Sequence, residues 1–279
     1  MRLVPYLGTF GILLLREMSI SEYIKYLQSI EEYAFSLEEL IINCNKTAIS
    51  LKRELAKLVE KKEITNIRKE FYLIIPPRYA KQQKLPIQLY VEKLLKNIGK
   101  TYYLGLYTAA KFHGANHQQA QQEYIITEKA LRDISKGAVN IRFFTSSAMP
   151  TKNIIKRKSD AGLFKISSPA LTIIDLIHYQ TKLGGLNRML AVLEELSEEI
   201  TLNDVTDLLS WYTNKSSMQR LGFLLEYLQA DDKIVNTLKK YFENKKYYPV
   251  LLSPQTHTKP GAVDNYWKVD INIKLENDL

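Results

Sequence analysis

Between Thr47 and Leu58 the apolar residues Ala48, Leu51, Leu55 and Leu58 recur at steps of three and four, which places them on one face of a helix. Lys46, Ser50, Arg53 and Lys57 fall on the opposite face. Burial of the three leucines contributes about 1.5–3 kcal/mol each, which fixes the helix and turns its polar face outward. A shorter helix precedes it, starting at Ser36 with Glu39 three positions on, a capping box that satisfies the first free amides. Asn43-Cys44-Asn45 ends that helix with residues that tolerate turn geometry. After Lys61-Lys62 the period shortens to two: Ile64-Thr65-Asn66-Ile67 and Phe71-Tyr72-Leu73-Ile74 flank Arg68-Lys69-Glu70, and Pro76-Pro77 stops the pattern. Two short helices, a tight turn and a hairpin with a basic tip predict a winged helix-turn-helix over Phe35–Pro77. A helix so fixed, with cations outward, can enter the major groove of duplex DNA.

The rest of the chain mixes both periods. Pro86–Ile98 is amphipathic, and Tyr102-Tyr103-Leu104-Gly105-Leu106-Tyr107-Thr108-Ala109-Ala110 reads as one deeply packed helix. Gln122–Thr127 and Val139–Phe144 are short, β-branched and aromatic, and read as strands. Ala170–Tyr179 is apolar enough for a buried helix, separated by Gly184-Gly185 from Leu186–Leu196; helices continue through Leu202–Leu209 and Met218–Leu228, and Trp267–Ile273 closes the chain as a strand. Helices and strands without strict alternation predict an α+β class: an N-terminal winged helix-turn-helix followed by a larger mixed α/β C-terminal domain. The expected organisation is an N-terminal extension over 1–17, a DNA-binding domain over 18–80, a polar linker from Ala80 to Leu85, and an α+β C-terminal domain over 86–279. Met1–Leu15 is apolar but short, carries Pro5, Gly8 and Gly11, and lacks a small-residue cleavage pattern. Met18 opens the amphipathic run Ser19–Tyr33 and is the expected native start, with residues 1–17 an extension or a packed arm.

Charge changes the picture more than composition does. Hydrophobic residues at 46% and charged residues at 25% describe a globular chain, and one cysteine, Cys44, leaves no internal disulfide framework and fits a reducing cytoplasm. The net charge is +9, and residues 81–165 alone hold 15 basic against 5 acidic side chains. Lys152, Lys156, Arg157 and Lys158 form a candidate second basic surface, for DNA flanking the recognition site or for an acidic partner. The Lys156-Arg157-Lys158 run by itself equally describes a solvated, mobile loop.

Candidate catalytic chemistry is sparse. Gly99-Lys100-Thr101 resembles the end of a phosphate-binding loop, but the glycine required five positions earlier is Leu94. His113 and His117 stand four apart without a cysteine or carboxylate to complete a metal set, which favours a hydrogen-bonded structural role. Asp175, inside an apolar helix, fits a capped or paired carboxylate; Glu194-Glu195 and Asp231-Asp232 fit solvated positions. No Gly-x-Ser-x-Gly elbow, metal-protease helix or paired-carboxylate nucleotidyltransfer signature is present. The expectation is therefore a non-enzyme without cofactor or metal. DNA contact is assigned to Lys46, Thr47, Ser50, Arg53 and Lys57 on the second helix, with Arg68 and Lys69 of the wing on the backbone or minor groove. The competing assignment is a docking module whose winged helix is structural. Double-stranded RNA is a poor third, because its narrow major groove excludes a recognition helix.

Several segments taken in order resemble the AbiEi family, the antitoxin and transcriptional-regulator half of bacterial abortive-infection (type IV) toxin–antitoxin systems. Beside the winged helix these are Tyr102–Ala110 followed by His113-Gly114-Ala115 and His117-Gln118; Ile141-Arg142-Phe143; Ser168-Pro169-Ala170 with Asp175-Leu176 and Gly184-Gly185; Arg220-Leu221-Gly222-Phe223-Leu224-Leu225; and Trp267-Lys268-Val269-Asp270-Ile271-Asn272. The resemblance spans about Tyr23 to Asn272, and the apolar N-terminus has no counterpart in it. It implies a cytoplasmic phage-defence protein, away from membranes, whose winged helix binds inverted repeats in its own promoter as a repressor. Its C-terminal domain would neutralise, directly or functionally, a nucleotidyltransferase-type toxin encoded in the same operon.

Overall fold

The computed structural model describes residues 18–115, 122–256 and 258–276. The extension 1–17 and His117-Gln118 lie outside the described residues.

Helix α1 (Ile20–Ser29) opens on a capping box in which Ser19 Oγ accepts from the Glu22 amide and the Glu22 carboxylate accepts from the Ser19 amide. Strand β1 (Ala34–Ser36) runs directly into α2 (Leu37–Cys44), whose Ser36–Glu39 box is the one expected from the sequence. Asn45 stops α2 in the left-handed region, with φ 48°. After Lys46 and Thr47 comes α3 (Ala48–Glu60), then β2 (Ile64–Arg68) and β3 (Phe71–Ile74). The three strands make an antiparallel sheet in the order β1-β3-β2.

Both faces of this small sheet are covered. Phe35, Tyr72 and Ile74 pack with Tyr23, Leu40, Leu51 and Leu55 of the helices, while Phe71, Leu73 and Ile75 pack with Leu85, Val91, Leu94 and Ile141 of the following half. That is why the run Phe71–Ile75 is continuously apolar. The expected linker ends inside this shared core: Leu85 has no exposed surface, and Lys84 Nζ stands 3.8 Å from the buried Glu123 carboxylate. Lys93 reaches back to Glu32 and, at 3.3 Å, to Glu39.

The larger half begins with α4 (Val91–Ile98), β4 (Tyr102–Leu104), α5 (Leu106–Phe112), β5 (Glu123–Thr127), β6 (Ile134–Lys136), β7 (Val139–Thr145), β8 (Ile154–Ser159) and β9 (Gly162–Ser167). Its six strands are ordered β6-β7-β5-β4-β9-β8, with β5/β7 and β4/β9 parallel and the remaining pairs antiparallel. One face carries α4 and the N-terminal sheet; the other carries a helical layer built around α6 (Pro169–His178), whose residues Ala170 to Ile177 are all buried. That layer is completed by α7 (Leu190–Glu199), α8 (Leu202–Trp211), α9 (Lys215–Tyr227) and α10 (Asp232–Glu243), and closed by the short parallel pair β10 (Val250–Leu251) and β11 (Val269–Asp270). The result is a mixed α+β chain.

Four expectations need correction. Tyr102–Ala110 is not one helix: Tyr103 pairs with Ile126 and Leu104 with Ile125 in the sheet, and the helix begins only after Gly105. A β-carbon at Gly105 would lie 2.8 Å from Ile126 Cδ1, so any larger residue at this tight passage from strand to helix needs the Ile126 side chain to shift. The closing strand Trp267–Ile273 shrinks to Val269–Asp270, because Trp267 is a fully buried plug whose burial needs no ladder. Lys156-Arg157-Lys158 is not a loop but lies within β8 at the sheet edge, opposite Lys165, Phe164 and Leu163. Finally, α10 and the β8–β9 hairpin have no counterpart in the sequence expectations.

Candidate nucleic-acid interface

Helix α3 is set by its two faces. Leu51 and Leu55 are buried, Ala48 and Leu58 pack beside them, and Thr47 Oγ1 accepts from the Ser50 amide at 3.3 Å to cap the N-terminus. Outward stand Ile49, Lys52, Arg53, Ala56 and Lys57. Lys52 Nζ donates to Glu70 in the hairpin turn at 2.7 Å, so the helix is tied to the tip of the hairpin. That contact raises the Lys52 pKa and lowers that of Glu70, in each case first through the side-chain hydrogen bond.

The seven predicted contact residues do not all stand together. Arg53, Lys57 and Lys69 are exposed, Arg68 is half-buried at the end of β2, and none of the four makes an ion pair among the described residues. Lys46 Nζ instead donates to Glu54 at 2.8 Å, and Ser50 Oγ approaches the same carboxylate at 3.4 Å, so these two occupy the flank of the helix. The Thr47 hydroxyl is engaged in capping. Lys52 and Ile49 were missed, although continuing the outward spacing from Arg53 by one helical turn in the N-terminal direction reaches Ile49.

The second basic surface divides. Lys152 is paired with Asp207 at 2.9 Å, and the Arg157 guanidinium donates to the Phe112 carbonyl at 2.5 Å, on the strand face opposite to Lys156 and Lys158. Lys156 and Lys158 remain exposed along the edge strand. Strand β6 packs beside β2, and Lys136 at its end and Arg132 just before it are exposed.

The groups considered for catalysis or metal binding make contacts within the fold. His113 Nε2 lies 2.8 Å from the Ser167 carbonyl oxygen, and burial lowers its pKa. Cys44 is buried beneath the turn between α2 and α3, which pushes its thiol up. Tyr103 Oη donates to Asp175 at 2.9 Å; burial, only partly offset by that bond, holds the Asp175 pKa up at about 7. Gly99, with φ 68°, is the left-handed stop of α4, which accounts for the Gly-Lys-Thr tripeptide without a phosphate. Among the described residues no group of three or more His, Cys, Asp or Glu is arranged for a metal ion.

The chain shares its two-part α+β architecture with the crystal structure of the RV2827C protein from Mycobacterium tuberculosis, at a TM-score of 0.63 and 17% identity over 89% of each chain, a likeness of fold alone. Curated proteins gave no match. The class is that of toxin–antitoxin antitoxins, because residues 103–227 match the model described as the AbiEi antitoxin C-terminal domain. Residues 103–227 of the chain are similar to that antitoxin domain. Among the described residues no helix is long and apolar enough to cross a membrane.

Proposed function

We propose that this antitoxin is a sequence-specific autorepressor, reading its own promoter with a winged helix-turn-helix formed by α2, α3 and the β2–β3 hairpin. The observation that carries the reading is the outward surface of α3. Among the described residues Arg53 and Lys57 make no ion pair, on a helix whose opposite face is locked by Leu51 and Leu55, and Lys69 is exposed beside Glu70 in the hairpin turn. Arg suits bidentate pairing to guanine, and lysines suit phosphates. The hairpin strands order the wing, and Lys52–Glu70 holds its tip against the reading helix. The AbiEi domain then acts, in the cytoplasm and without catalysis of its own, against a nucleotidyltransferase-type toxin encoded in the same operon.

The test is fluorescence anisotropy on duplex DNA from upstream of the operon beside scrambled DNA of equal length, across a salt series. The expected result is a preference of about a thousandfold for the upstream duplex. Weak binding that is equal for both and vanishes with salt is generic phosphate attraction. It would overturn DNA reading and leave the docking function, with the toxin as the partner.

A further inference from the structure

Ile49 is the most exposed isoleucine of the N-terminal half, with 69% of its surface open. Its position is more informative than its exposure, since single apolar residues on a surface are ordinary. It is the second residue of α3, one turn before Arg53 and two before Lys57 on the same outward stripe, and the N-terminal turn of a reading helix is the part that meets base edges. The next two long side chains along that stripe, Arg53 and Lys57, are cations, and Glu60 closes it at the far end of the helix. Ile49 has no place in the core that holds α3, which is made by Leu51 and Leu55 with Ala48 and Leu58 beside them.

In the major groove the one apolar feature of any base pair is the 5-methyl group of thymine. A β-branched side chain with few rotamers, held on a capped helix and flanked by cations that bring the duplex close, matches that feature and no other on the base edges. We infer that Ile49 is a specificity-determining residue that reads a thymine methyl group in the operator. This rests on the DNA-reading function proposed above. The charge around it argues for DNA rather than an apolar protein partner as what covers it, since Arg53 and Lys57 would be desolvated without a counter-charge at a greasy interface.

Replacing thymine by deoxyuridine removes the methyl group and nothing else. The full-length protein and its Ile49→Ala variant are titrated against the upstream duplex and against a set of duplexes carrying one such replacement at each thymine in turn. At one or two positions deoxyuridine should weaken the wild type about fourfold, the worth of one buried methyl group, while Ile49→Ala is indifferent there. Because Ile49 lies outside the core, an unchanged thermal melt confirms that the variant is folded. Two results would overturn the assignment while leaving DNA reading intact: a wild type insensitive at every thymine, or a variant as sensitive as the wild type. Loss of all preference for the upstream duplex in the wild type itself would instead remove the parent function, and this inference with it.

Discussion

Gly222 of α9 lies directly under the indole ring of Trp267, so that a β-carbon at position 222 would sit inside the van der Waals envelope of Cε3, Cζ3 and Cη2. The ring is held there at both ends: its Nε1 donates to Glu226 at 2.6 Å, and its own backbone carbonyl accepts from Gln219 Nε2 at 2.8 Å. Trp267 is fully buried, so the closing segment is pinned to α9 by one side chain and one absent side chain. Gly222→Ala should destabilise by about 1–3 kcal/mol through overpacking, and Trp267→Ala by about 3–5 kcal/mol through the cavity. Urea unfolding measures both. A neutral Gly222→Ala would show that the ring can slide aside.

Asp175 gives the fold a pH dependence of definite sign. Unfolded, it releases its proton near its ordinary value of 3.8; folded, burial holds the proton to about 7. Between those values the unfolded state binds fewer protons, so stability falls as pH rises through that window and levels off above it. Asp175→Asn should remove this component while still accepting from Tyr103. Tyr103→Phe, which deletes the hydrogen bond that lowers the Asp175 pKa, should move the fall to higher pH. Urea midpoints at about pH 5 and about pH 8 test this, and a slope unchanged in Asp175→Asn would show that another group is responsible.

The legible parts were those with a local cause. The two faces of α3 follow from Leu51 and Leu55, and the start of α2 from Ser36 and Glu39. Tyr102–Ala110 was misread because Tyr103 and Leu104 lie on opposite faces of a sheet buried on both sides. An apolar run of that kind has no period to distinguish strand from helix. Lys156, Arg157 and Lys158 looked like a basic loop because an edge strand open to water carries lysines as readily as a loop does. Pairings such as Lys46 with Glu54 or Lys152 with Asp207 depend on a helix turn or a tertiary fold that residue type does not encode. Part of the ordered set that resembles the AbiEi family proves architectural: Ser168 caps α6, and the Arg220 guanidinium donates to the Leu251 carbonyl at 2.8 Å.

Leu85 joins the two halves. It has no exposed surface and belongs to the same core as Phe71, Leu73 and Val91, so the N-terminal sheet and the antitoxin half are stabilised by shared contacts. Leu85→Ala should cost about 2–5 kcal/mol. The wild type should lose both halves in one cooperative transition, read by a helix signal and by tryptophan fluorescence, whose reporters Trp211 and Trp267 both lie in the C-terminal half. Two separated transitions in the wild type would mean that the shared core does not couple them.

Arg53 and Lys69 should fail differently on DNA. Arg53 is exposed on the outward stripe of a helix whose orientation is fixed by its buried face, a position from which a planar guanidinium can meet a base edge. Lys69 stands in the turn between β2 and β3, where a flexible ammonium meets phosphate. Arg53→Ala should therefore cost about 1–3 kcal/mol on the upstream duplex and little on scrambled DNA, flattening the preference. Lys69→Ala should weaken both duplexes alike and reduce the salt slope by about 1. Lys46→Ala should do less than either, because its ammonium is already engaged by Glu54. Equal losses on both duplexes for Arg53→Ala and Lys69→Ala would assign the pair to phosphate contact and move base reading elsewhere on α3.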